Sequence, residues 1–149
     1  MQRVVHAAGS AVLAACLLVG CSKPAPVAAD DEWSLDPGNT LRADVKAGGV
    51  EATYTAHFDG PHVQRISEVR KSGAGNAAKG EYEFHGARLT HYTGAALLGA
   101  QQIELTFDLQ GALVSSSGAS EAEMAAVRDR ASLLRSLALT RRSTQSHGG

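Results

Sequence analysis

Apolar and polar residues alternate in three stretches in the middle of the chain. The stretches are residues 50–58, 81–85 and 103–109, and in each of them every second position is apolar or aromatic. The apolar positions are Ala52, Tyr54, Ala56, Phe58, Tyr82, Phe84, Ile103, Leu105, Phe107 and Leu109. Alternation with a period of two is typical of antiparallel strands that have one covered face and one solvated face. The pattern therefore predicts three such strands.

The same region contains a weak internal repeat. Its copies are residues 56–63, 82–89 and 105–113. Their phenylalanines, Phe58, Phe84 and Phe107, lie at intervals of about two strands and their connections. Each copy has an aromatic residue, a short turn with glycine, and an apolar residue that opens the next strand. The repeat predicts three β-hairpins in series, or about six strands.

Two segments beside these hairpins are ambiguous. In residues 62–71, Val63, Ile66 and Val69 recur every third position, which fits either a strand with a β-bulge or a helix. Residues 40–47 fit a short strand or an irregular segment, and they follow a turn signal at residues 36–39.

One helix is predicted near the C-terminus, over residues 120 to about 140. Ser120 can cap it, and Glu123 three residues later completes a capping box. Apolar residues follow with the spacing of a buried stripe: Met124, Val127, Ala131, Leu134 and Ala138. The predicted fold is α+β, an antiparallel meander of about six strands packed against this helix.

The N-terminal segment has the three parts of an export signal. Arg3 is followed by an almost wholly apolar run over residues 4–20, which ends in Leu18-Val19-Gly20-Cys21. These residues resemble the processing site of bacterial lipoprotein precursors. The resemblance implies cleavage before Cys21 and attachment of lipid to that cysteine, which holds the protein on a membrane.

Other readings of the segment remain open. Cys16 also fits the pattern, but cleavage there leaves an apolar start to the mature chain. Ordinary cleavage after Ala29 would release a soluble protein, and an uncleaved anchor would need a longer apolar run. Inner-membrane lipoproteins of many Gram-negative bacteria carry Asp after the cysteine, and this chain has Ser22. The resemblance thus favours the periplasmic face of the outer membrane.

These features divide the chain into four parts. We expect a leader over residues 1–20, a lipidated cysteine with a disordered tether over 21–32, one domain over 33–142, and a disordered tail over 143–149. No cysteine follows Cys21, so the mature domain has neither a disulfide nor a thiolate metal site. The formal net charge of -1 argues against general nucleic-acid binding, and no cofactor is predicted.

The candidate chemistry is sparse. His57, Asp59 and His62 flank the first hairpin turn, and His85 and His91 lie in the second hairpin, so a metal-binding or proton-transfer site is one hypothesis. Residues 73–78 match a loose dinucleotide pattern, but they lead into a strand rather than the helix that such a site needs. We expect no metal site and no enzymatic activity.

The helix carries a row of arginines. Arg128, Arg135 and Arg142 recur every seven residues and should lie along one side of the helix. They are candidates for contact with anionic lipid head groups or an acidic protein partner, although a solvated helix surface has the same pattern. The main functional hypothesis is a non-catalytic binding or structural module of the envelope, with a protein, glycan or anionic lipid as its partner. The alternatives are a protein that uses the hairpin histidines and a carrier of apolar ligands.

Overall fold

A computed structural model of the protein describes residues 33–36, 39–71 and 77–145, and the side chains of 39–71 and 77–144. The leader and tether predicted over residues 1–32 lie outside the described residues. Eight strands and one helix follow in chain order: β1 (Trp33–Asp36), β2 (Thr40–Ala47), β3 (Val50–Asp59), β4 (His62–Lys71), β5 (Ala77–His85), β6 (Arg88–Ala95), β7 (Gln102–Phe107), β8 (Leu113–Ser117) and α1 (Glu121–Gln145).

All eight strands form one antiparallel sheet in which each strand pairs with the next along the chain. The predicted α+β meander with one C-terminal helix is therefore confirmed. The three predicted hairpins are β3–β4, β5–β6 and β7–β8. Strands β1 and β2 precede them, so the segment over residues 40–47, which the pattern left undecided, is a strand.

The internal repeat has a structural counterpart in the three hairpins. The strand register shifts directly before the phenylalanine of each copy, which marks a β-bulge at the same place each time. Each phenylalanine then pairs with the apolar residue that opens the next strand: Phe58 with Val63, Phe84 with Leu89, and Phe107 with Leu113. The three hairpins are thus built alike.

Residues 62–71 form a bulged strand, which settles the choice between strand and helix. Val63 and Ile66 are both fully buried because the bulge inserts one extra residue between them. Period-two alternation then resumes, so Glu68 and Arg70 point inward while Val69 is 40% exposed. The apolar spacing of three therefore does not continue beyond the bulge.

Helix α1 covers the apolar face of the sheet. Its predicted stripe is confirmed, with Val127, Ala131, Leu134 and Ala138 buried and Met124 partly so. The helix runs to Gln145 and includes residues 143–145 of the predicted tail, where Ser143 Oγ donates to the Thr140 carbonyl at 2.8 Å. In the described part of the chain, no helix is long and apolar enough to cross a membrane.

Two details of the predicted elements are wrong. Ser120 Oγ accepts a bond from the Glu123 amide at 3.2 Å, as a cap should, but the Glu123 carboxylate does not complete a capping box. It accepts bonds from the backbone amides of Leu97 and Leu98 instead, and so ties the helix start to the β6–β7 loop. Leu109 lies past the end of β7 and is 54% exposed rather than buried.

Candidate anion-binding cleft

The helix crosses the hairpins, and one side of it faces their turns. We call this end of the sheet the Phe end, because the turns there follow Phe58, Phe84 and Phe107. Seven helical residues rise about 10.5 Å, and one hairpin of two strands is about 9.6 Å wide. The seven-residue spacing of Arg128, Arg135 and Arg142 therefore matches the hairpin repeat, with one arginine for each hairpin.

The outer two arginines make equivalent contacts with their hairpins. The Arg142 guanidinium lies 4.3 Å from the centre of the Phe58 ring, and its Nη1 donates to the Gly60 carbonyl at 2.5 Å. The Arg128 guanidinium lies 4.6 Å from the Phe107 ring centre, and its Nη2 donates to the Gly111 carbonyl at 3.0 Å. Both arginines thus fasten the helix to a turn through a ring face and a backbone carbonyl.

The middle arginine departs from this pattern. Arg135 is half-buried, and its Nε atom is buried with no hydrogen-bond partner among the described residues. Such an unpaired buried donor costs free energy that a bound acceptor would recover. Arg135 lies instead at a cleft of about 330 Å³ beside the β5–β6 turn.

The cleft concentrates positive charge. Arg88, Arg128 and Arg135 line it, and none of the described residues in its wall is acidic. None of these three arginines forms an ion pair with a described carboxylate. Three like charges around one concave surface favour the entry of an anion.

The remaining walls suit a ligand with both polar and apolar parts. Phe84, Phe107 and Ala131 are buried and form an apolar floor. Gln110 and Ser132 add hydrogen-bonding side chains at the rim. Guanidinium groups bind carboxylate and phosphate oxygens in paired, directional hydrogen bonds. The cleft therefore has the composition of a binding site for a phosphate- or carboxylate-bearing molecule.

A second charged cluster is fully occupied by its own bonds. The buried carboxylate of Glu68 accepts from Arg130 Nε at 2.8 Å, from Arg70 Nη1 at 3.3 Å and from the Tyr82 hydroxyl at 2.9 Å. Burial, reinforced by the negative charge of Glu68, raises the pKa of Tyr82 far above its usual value. Tyr82 therefore stays protonated and keeps donating to Glu68. We assign this cluster to the packing of α1 on the sheet.

The hairpin histidines do not converge. His57 Nδ1 lies 3.4 Å from Thr40 Oγ1, while Asp59 pairs with His62 at the exposed turn. His91 lies between two carboxylates, 3.9 Å from Glu83 and 3.1 Å from Glu104. Within residues 39–71 and 77–144, no group of three or more His, Cys, Asp or Glu is arranged to hold a metal ion. The hypothesis built on these histidines gains no support from the geometry.

The structure also gives no support to the hypothesis of a carrier of apolar ligands. A lid over a curved sheet needs an apolar chamber beneath the helix, but that space is filled by Tyr54, Tyr82, Tyr92 and Leu134, all fully buried. The clefts found among the described residues are open to the surface of the domain instead. One of them, of about 310 Å³, lies on the side of α1 opposite the row of Arg128, Arg135 and Arg142.

Sequence reasoning found two of the three cleft arginines. Arg128 and Arg135 line the cleft, whereas Arg142 is engaged with Phe58 and Gly60. Arg88 was missed, although its position just after the turn of the second repeat copy was a usable signal. Comparisons with models of known protein families, with curated proteins and with solved structures find no match.

Proposed function

We propose that this protein is a lipid-anchored lipoprotein of the bacterial envelope, a non-catalytic module that binds an anionic ligand in the cleft of Arg88, Arg128 and Arg135. One observation carries the binding part. Three arginines surround the cleft without a described carboxylate partner, and the buried Nε of Arg135 has no hydrogen bond to any described residue.

The wall of the cleft favours binding over catalysis. Its described residues supply positive charge, hydrogen-bond donors and aromatic surface. They include no His, Asp, Glu or Cys that would transfer a proton or attack a substrate as a thiolate. The ligand we propose carries a phosphate or carboxylate group, with an apolar part that rests on Phe84 and Phe107.

Replacing Arg135 by alanine should weaken anion binding. A hydrogen bond between charged groups contributes about 1.5–3 kcal/mol, so the dissociation constant should rise by about ten- to a hundredfold. Inorganic phosphate serves as the probe, with binding followed by the NMR shifts of the arginine Nε–H signals. In the unchanged protein the Arg135 signal should move most.

Arg142→Ala provides the matched control. Arg142 belongs to the same seven-residue row but contacts Phe58 and Gly60 outside the cleft. Its loss should leave phosphate affinity within about twofold, since it removes no group from the binding site. If both substitutions weaken phosphate binding equally, the effect comes from the net charge of the protein, and the proposed cleft is wrong.

The anchor is supported by Leu18-Val19-Gly20-Cys21 and by the tether that cleavage before Cys21 would leave. Cys21→Ser should abolish incorporation of labelled fatty acid and release the protein from the membrane fraction, because the modified thiol is gone. Cys16→Ser should leave both unchanged. Loss of label in Cys16→Ser, with labelling retained in Cys21→Ser, would move the site to Cys16. We also propose the periplasmic face of the outer membrane as the location, supported by Ser22.

A further inference from the structure

We infer that the end of the domain opposite the Phe end docks on the bilayer, with Leu98, Val50 and Leu133 entering its interfacial region. We call it the Leu98 end; it comprises the β2–β3 turn, the β6–β7 loop and the adjoining side of α1. The inference rests on the proposed lipid anchor and adds a second membrane contact to it.

The Leu98 end exposes apolar side chains from three separate elements. Leu98 is 66% exposed at the tip of the β6–β7 loop, Val50 is 36% exposed at the start of β3, and Leu133 is 37% exposed on α1. All three line one cleft of about 310 Å³. A clustered apolar patch at the tip of a domain is typical of a surface that meets a partner or a membrane.

Basic side chains surround this patch. Lys46 and Lys71 are each 74% exposed at the strand ends beside it, and both pair with the single carboxylate of Glu51, at 2.8 Å and 3.5 Å. At the base of the cleft, Arg70 and Arg130 share the single carboxylate of Glu68. Each of these two clusters thus contains two basic side chains and one carboxylate. Asp129 also lines the cleft, and the Glu123 carboxylate is bonded to the amides of Leu97 and Leu98. The four cations and four carboxylates of this end therefore balance, and the exposed apolar side chains are what favours contact with a lipid surface.

The direction of β1 also bears on the position of the anchor. Trp33 pairs with Ala43 and Asp36 with Thr40, so β1 runs toward the Phe end. The first residue of β1 is therefore its residue nearest to the Leu98 end. Eleven residues separate Cys21 from Trp33, and the twelve steps between the two residues reach at most about 43 Å. A lipid on Cys21 would keep the domain within this distance of the bilayer, where the apolar patch of the Leu98 end can reach it.

A fluorescent label tests this orientation. The full chain with Leu98→Cys is purified in its acylated form, in which the introduced cysteine is the only free thiol, labelled with an environment-sensitive dye, and placed in vesicles of phosphatidylethanolamine and phosphatidylglycerol. Leu109→Cys is the matched control, since Leu109 is 54% exposed beyond the end of β7, on the side of the Phe end. We expect a blue-shifted emission at position 98 and at least threefold stronger quenching by doxyl-labelled lipid than at 109.

The outcomes separate the proposals. Acylated protein in which iodide quenches both labels equally from the aqueous phase overturns the docking inference alone. A blue shift at 98 that grows with protein concentration, without quenching by lipid, assigns the patch to a second copy and also overturns it. A mass spectrum without acyl chains on Cys21 overturns the anchor and the docking together, while the arginine cleft is judged by phosphate binding.

Discussion

Replacing Leu134 by aspartate should unfold the domain. Leu134 is fully buried at the centre of the helical stripe, where the apolar face of the sheet surrounds it. The substitution removes a large apolar side chain, at a cost of about 2–5 kcal/mol, and places an unpaired charge in its site, which costs several kcal/mol more. Because small domains are stable by only about 5–15 kcal/mol, most of the molecules should be unfolded near body temperature. Circular dichroism during heating measures the effect.

The neighbouring residue provides the control. Leu133→Asp makes the same chemical change one position earlier on α1, where the side chain is 37% exposed. Since the charge stays in water there, we expect a loss below about 1 kcal/mol. If both variants melt like the unchanged protein, α1 does not pack on the sheet as described.

Replacing Glu68 by alanine should cost about 3–5 kcal/mol, because it leaves Arg70 and Arg130 partly buried without their shared counter-ion. Glu68 is 1% exposed and receives bonds from three side chains on three elements, Arg70, Tyr82 and Arg130. Denaturant unfolding should show a lower midpoint with an unchanged slope. The same experiment on Arg130→Ala should show a comparable loss.

A surface glutamate distinguishes this cluster from an ordinary ion pair. Glu81 lies 3.2 Å from Arg65 with 39% of its side chain exposed. Its replacement by alanine should change stability by less than about 1 kcal/mol, because water replaces the lost partner. A similar small effect for Glu68→Ala would show that the buried cluster is not required for folding.

The pattern of residues predicts most of the sheet because side-chain burial follows a period of two. The alternation around Tyr54, Tyr82 and Leu105 places each side chain on the correct face, and all three are fully buried. The repeat locates all three hairpins because the same bulge and the same pairing of a phenylalanine with an aliphatic residue recur. The four-residue strand β1 gives no comparable pattern.

The period-two alternation does not predict the buried charged residues. Glu68 and Arg70 occupy inward positions that the alternation reserves for apolar residues, and the bulge in β4 shifts them there. The charge that stabilises Glu68 comes from Arg130, which is 62 residues away in the chain. A partner at that distance leaves no local signal, so only the folded arrangement reveals it.

The sequence predicts only part of the arginine cleft. The seven-residue row and the hairpin repeat can each be found in the sequence, but nothing in either indicates that they share one spacing. The distinct role of Arg135 depends on a bond that it does not make, whereas Arg128 and Arg142 make theirs. Such a difference among equivalent positions has no sequence pattern.

The match between hairpin width and helix rise also limits how this fold can grow. The 25 residues of α1 extend about 37 Å, and the eight strands span about 34 Å between the two outermost. The helix is therefore about as long as the sheet is wide. Duplication of one hairpin alone would leave its aromatic side chains open to water. An enlarged relative that folds should carry about seven more helical residues for each added hairpin, so that gene segments at two distant places lengthen together.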